Sequence, residues 1–160
     1  MKDTSAMDIA VDNLQESGVI RLLEEHLADM YATSPPESVH ALDVEALKHP
    51  SITFWAAKDD GEVLGCVALK ELDVQHGEIK SMRTASAARH RGVASQLLLH
   101  LINEAKARGY QTLSLETGSE TFFLPARTLY EKNGFRYCEP FANYQPDPNS
   151  KFMTRDLTEQ

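Results

Sequence analysis

At 160 residues and 42% hydrophobic content, the chain suits one domain with a sizeable core, residues 1–160, and is too apolar to be disordered. Asp and Glu outnumber Lys and Arg by 24 to 16, a formal net charge of −8 that repels nucleic acid and anionic membrane. No stretch approaches the roughly 20 apolar residues of a spanning helix, and the opening MKDTSAMDIAVD has no apolar leader, so a cytoplasmic protein is expected.

Residues 7–14 read as a first strand. Val19, Leu22, Leu23 and Leu27 recur at helical spacing over residues 15–32. Ser34-Pro-Pro-Glu37 reads as the start of a second helix, with Ser34 as cap, Pro35 at the first helical position and Glu37 completing a capping box. Val39, Leu42, Ala46 and Leu47 continue that helix, and Pro50 ends it. Strands at 52–58 and 62–72 flank Asp59-Asp60-Gly61, a hairpin turn. A further strand covers 77–84 and is followed by the loop ASAARHR. The clearest helix covers 93–108, where Val93, Leu97, Leu101 and Ala105 recur every four residues. A strand at 111–117, a short helix from Pro125 to Asn133-Gly134, and strands at 135–141 and 151–157 complete the chain. The order β-α-α-β-β-β-α-β-α-β-β is an α/β (α+β) pattern. The strand–helix–strand at 77–117 implies a parallel pair inside a mixed sheet, with helices on both faces.

Cys66 and Cys138 both sit in apolar, strand-like stretches and read as buried reduced thiols, and no metal-ligand spacing occurs, so no metal is expected. The segment from Arg83 to Arg91 holds three arginines and one histidine and no acid, a basic island in an acidic chain. Within it Arg89-His90-Arg91-Gly92-Val93-Ala94 opens the strong helix. A helix start exposes unpaired N–H groups and a partial positive charge, which suit a phosphate. Gly92 and Ala94 remove bulk where a ligand would approach. The same six residues also read as an ordinary helix start with a glycine near its cap. Neither G-x-x-x-x-G-K-[ST] nor G-x-G-x-x-G occurs, against a nucleoside triphosphatase or dinucleotide enzyme.

Arg89-x-x-Gly92-x-Ala94 between a strand and an amphipathic helix resembles the acyl-CoA signature of the GNAT N-acetyltransferase superfamily. Ala126-Arg-Thr-Leu-Tyr-Glu-Lys-Asn-Gly-Phe135 resembles its second signature, A-x-x-L-Y-x-x-x-G-F. The resemblance spans nearly the whole chain and implies a single GNAT-like domain. The implied activity is transfer of an acetyl group from acetyl-CoA to a primary amine by direct attack on the thioester. It further implies that backbone N–H groups of Arg89, His90, Arg91, Gly92, Val93, Ala94 and Ser95 hold the coenzyme A pyrophosphate. Met82 and Thr84 would contact the pantetheine arm along a splayed strand, the Met82 N–H polarising the thioester carbonyl. Tyr130 would give a proton to the departing thiolate. Glu78, four residues before Met82 and so expected on the same face, is the candidate base, with Glu116 next in line and a water relay, as in many relatives, the remaining alternative. The pattern departs from the family's at His90, often Gly, and at Phe123, often Asn.

By the same resemblance, the acceptor pocket comes from residues 34–43 and 143–152. His40 reads as a surface or capping residue, Arg83 as structural on the face opposite Glu78, and Arg127 as a carboxylate contact or a solvated charge. Tyr144 and Phe152 wall a pocket or belong to the core. A small-molecule amine is the expected partner and a homodimer is left open. The other readings are a non-catalytic acyl-CoA sensor or interaction module and an enzyme acting on a protein or peptide amine.

Overall fold

The computed structural model describes residues 7–40, 42–89 and 91–158. In chain order it contains strand β1 (Asp8–Val11), helices α1 (Ser17–Thr33) and α2 (Val44–Leu47), strands β2 (Ile52–Asp59), β3 (Glu62–Asp73) and β4 (His76–Thr84), helix α3 (Val93–Ala107), strand β5 (Thr112–Gly118), helix α4 (Leu124–Lys132), and strands β6 (Arg136–Tyr137) and β7 (Ser150–Asp156). The element order is the expected one. The seven strands form one sheet in the order β1-β2-β3-β4-β5-β7-β6. Every neighbouring pair is antiparallel except β4–β5. That exception follows from the α3 crossover, which returns the chain to the end of the sheet where β4 began.

Strand alternation divides the sheet into two apolar faces. On one, Leu69, Ile79, Leu113, Leu115 and Met153 pack with Leu97, Leu98, Leu101 and Ile102 of α3 and with Tyr130 of α4. On the other, Phe54, Ala56, Cys66 and Ala68 pack with Val19, Leu22 and Leu23 of α1 and Leu47 of α2. The four α3 side chains are essentially inaccessible to solvent, each worth about 1.5–3 kcal/mol of burial. The β2–β3 turn has positive φ at both Asp60 (52°) and Gly61 (83°), the type I′ geometry that suits the twist of a tight hairpin.

Three expectations are corrected. No helix runs from Pro35 to Leu47. Residues Pro36–Ser38 form one 3-10 turn, and α2 is a separate four-residue helix capped by Asp43, whose carboxylate accepts from Ala46 N. A residue before proline is pushed out of the helical region. Pro35, which precedes Pro36, has ψ 147°, and Ser34 has ψ 150°. The Pro-Pro pair thus ends α1 and turns the chain instead of starting a helix. β6 is two residues long, because the chain leaves the sheet after Tyr137. Cys66 is buried and Cys138 only half-buried, and neither is in a disulfide.

Candidate active site

The site begins where two strands part. Pairing of β4 with β5 runs from His76–Thr112 to Ile79–Leu115 and stops there. Beyond it β4 stays with β3, and β5 with β7. The wedge between them is a cleft of about 580 Å3. Its walls include Lys80 to Thr84 from β4 and Glu116 to Gly118 from β5. A bulge lies at the parting: β4 takes three steps from Lys80 to Arg83 while β3 takes two from Ala68 to Cys66. Ser81 sits at the bulge with φ 54°, a left-handed conformation that costs a non-glycine residue about 1–2 kcal/mol.

The bulge reverses the side-chain alternation expected across it. Ile79 and Met82 both face the α3–α4 layer, and the Tyr130 hydroxyl lies 3.5 Å from Met82 Sδ. Glu78 and Lys80 face the opposite way, as does Arg83, whose Nη1 donates to Asp29 of α1. So Glu78 and Met82 do not share a face, and Arg83 is on the side of Glu78. Strict period-two reading fails here because one extra residue flips every position beyond it.

Helix α3 supplies the second wall. Its N-cap, Gly92, has φ 77°, a conformation glycine adopts without steric cost. Among the described residues no side chain caps this end, and its first turn holds no acid. The first-turn N–H groups are therefore open to an external acceptor, with the helix dipole behind them. Met82, Thr84, Arg89, Gly92, Val93, Ala94 and Ser95 all line the cleft. The Arg91 side chain turns away, with Nη2 3.4 Å from Asp59. His90 lies outside the described residues.

Helix α4 brings Tyr130 into the cleft, packed edge-on to Phe135 at 5.7 Å. Burial raises the pKa of its phenol above the ordinary value, so it keeps its proton and is a donor. Phe123, in place of the family's frequent Asn, stacks its ring over Gly118. A Cβ on Gly118 would fall 2.2 Å from that ring.

Across the sheet, two carboxylates face the cleft. Glu78 is 2% exposed, and its Oε2 accepts from Tyr144 Oη (2.5 Å) and from Lys80 Nζ (3.2 Å). Lys80 also donates to Tyr144 Oη at 2.9 Å. Glu116 stands one residue past the last β4–β5 pair and accepts from Ser150 Oγ at 2.8 Å. Burial pushes its pKa up to about 7, opposed by the Ser150 hydrogen bond and by Lys80.

Aromatic rings close this side. Tyr144 packs on His40, Phe141 and Phe152 with centroids 5.0–5.5 Å away. His40 is thus a wall residue and not a surface cap, and burial, with Lys80 next, lowers its pKa. Arg127 is neither a carboxylate contact nor solvated: it is buried, with Nη1 donating to the carbonyls of Gly118 and Glu120. It holds α4 to the end of β5. Sequence reasoning assigned no individual role to Ser81, to Ser150 within the 143–152 pocket segment, or to the Lys80–Tyr144 bond. The first depends on the bulge and the others on contacts 34 and 64 residues apart in the chain.

The Acetyltransferase (GNAT) family profile matches residues 19–135. The chain is 58% identical to the uncharacterized N-acetyltransferase YsnE of Bacillus subtilis, over 94% of this chain and all of that one. It is 37% identical to the IAA acetyltransferase of Azospirillum brasilense, covering 93% and 97% of the two chains. Among solved structures, a GNAT family acetyltransferase from Elizabethkingia anophelis with acetyl-CoA bound superimposes with a TM-score of 0.66 at 24% identity, covering 94% and 98%. Splayed strands, an uncapped helix start beside them and these relatives agree: the chain belongs to the GNAT acetyltransferase family and is an acyl-CoA-dependent N-acetyltransferase.

Proposed function

We propose that the chain acetylates a primary amine of a small molecule, with acetyl-CoA as donor, at the wedge between β4 and β5. The observation that carries this reading is the end of β4–β5 pairing at Ile79–Leu115, beside the open N-terminus of α3. The N–H groups of Gly92 to Ser95, with those of Arg89, His90 and Arg91, take the pyrophosphate. The free edge of β4 at Met82 and Thr84 takes the pantetheine arm, and the Met82 N–H polarises the thioester carbonyl. Structural relatives support this choice of donor: the Elizabethkingia protein binds acetyl-CoA, and aminoglycoside 6'-N-acetyltransferase was solved with coenzyme A.

The acceptor approaches from the opposite side, past His40, Tyr144 and the two carboxylates. As the amine nitrogen bonds to the carbonyl carbon and the C–S bond breaks, the amine proton passes to a carboxylate and Tyr130 protonates the thiolate. Glu116 suits the first task best, since a base works well when its pKa lies near the working pH. Glu78, whose Oε2 already holds Lys80 and Tyr144, keeps the wall in place and stays second in line. Incubation with acetyl-CoA and a panel of amines should release free thiol above the rate of hydrolysis. Release that stays at the no-acceptor rate throughout would overturn the reading.

A further inference from the structure

The end of the cleft nearest α1 holds polar groups that the reaction above leaves unused. Arg83 enters it from β4 with its side chain 10% exposed. Nη1 donates to Asp29 Oδ2. Nη2 stands 3.9 Å from Glu25 Oε1, too far for a hydrogen bond. Nε is buried with no partner among the described residues. Nε and Nη2 share one edge of the guanidinium, and their parallel N–H bonds match the two oxygens of a carboxylate.

Two more buried atoms beside the same cleft lack partners among the described residues: His26 Nδ1 and Ser81 Oγ. His26 is 9% exposed and Ser81 8%. Burial, with the Arg83 charge next, pushes the His26 pKa down to about 4, so the ring is neutral and can donate through Nδ1. Leaving a buried polar group unpaired is costly, and native chains rarely tolerate it without a reason. Here the three residues that carry these atoms line one cavity, on β4 at the bulge and on α1. Lys80 also lines the cleft, but Glu78 and Tyr144 already engage it.

We propose that Arg83, Ser81 and His26 anchor a carboxylate of the acceptor, which makes the acceptor an amino-acid-like molecule carrying both an amine and a carboxylate. This rests on the acetyltransferase reading above and narrows its acceptor. Ser81 and Arg83 flank Met82, the residue assigned to the thioester. A carboxylate held there brings the amine of the same molecule to the reacting carbon, and that positioning lowers the barrier.

The test compares α-, β- and γ-amino acids with the matching amines that lack the carboxylate, by thiol release from acetyl-CoA. The best amino acid should exceed its decarboxylated partner at least 100-fold in kcat/KM. Arg83→Lys keeps the charge but loses the two-pronged edge. It should cut that ratio at least tenfold, mainly through KM, and Ser81→Ala should cut it by less. A merely structural role for Arg83 would slow both substrates alike and leave the ratio unchanged, overturning the anchor. So would wild-type protein that prefers the plain amines, while the acetyltransferase reading then stands. If no amine of either kind reacts, both fall.

Discussion

Replacing Glu116 by Gln tests the proton's destination and has a thermodynamic signature independent of turnover. Burial takes this carboxyl from 4.5 to about 7. The folded state therefore binds the proton more tightly than the unfolded chain does. The associated stability is fully present below pH 4.5 and is lost as the pH rises through 7. A shift of about 2.5 units at 1.36 kcal/mol each sets an upper figure of about 3 kcal/mol lost by pH 8. Gln keeps the acceptor for Ser150 Oγ and carries no charge. Glu116→Gln should thus match wild type in Tm near pH 4.5 and exceed it at pH 8 by up to about 6–12 °C. In activity, wild-type kcat/KM should fall about tenfold per unit below an inflection near pH 7. The variant should lose that inflection and about 10²–10⁴-fold in rate. A variant that keeps both the wild-type inflection and the wild-type rate would refute the assignment. Equal Tm values at pH 8 would refute the burial argument beneath it.

Tyr130→Phe should lower kcat by about 10²-fold or more while coenzyme A binding holds, because only the proton donor is lost. Equal turnover removes Tyr130 from the mechanism. Gly118→Ala should lower Tm by several degrees, since the new methyl would meet the Phe123 ring at 2.2 Å and overpacking costs about 1–3 kcal/mol. An unchanged Tm would mean that the Phe123 ring yields freely.

Local pattern carried much of this fold. Val93, Leu97, Leu101 and Ala105 predicted α3 because a helix that covers a sheet needs one apolar stripe. Asp60-Gly61 predicted its hairpin because few residues accept positive φ twice in succession. The helix start at Gly92 was equally legible, since what it offers is backbone. The Pro35-Pro36 pair was misread because capping residues and prolines also mark turns, and the steric rule on the residue before a proline decides between the two. The bulge at Ser81 left no mark in composition, and it redirected Met82 and Arg83. The Glu78–Lys80–Tyr144 contact joins two strand residues to a distant loop, so only the folded chain brings it together.

The account depends most on the first turn of α3 holding the donor's diphosphate. Titration of coenzyme A into labelled protein, followed by amide NMR, tests this directly. The account predicts the largest shifts at Gly92, Val93, Ala94 and Ser95, with a second group at Met82 and Thr84 along β4. Shifts clustered elsewhere, or none at millimolar coenzyme A, would contradict it.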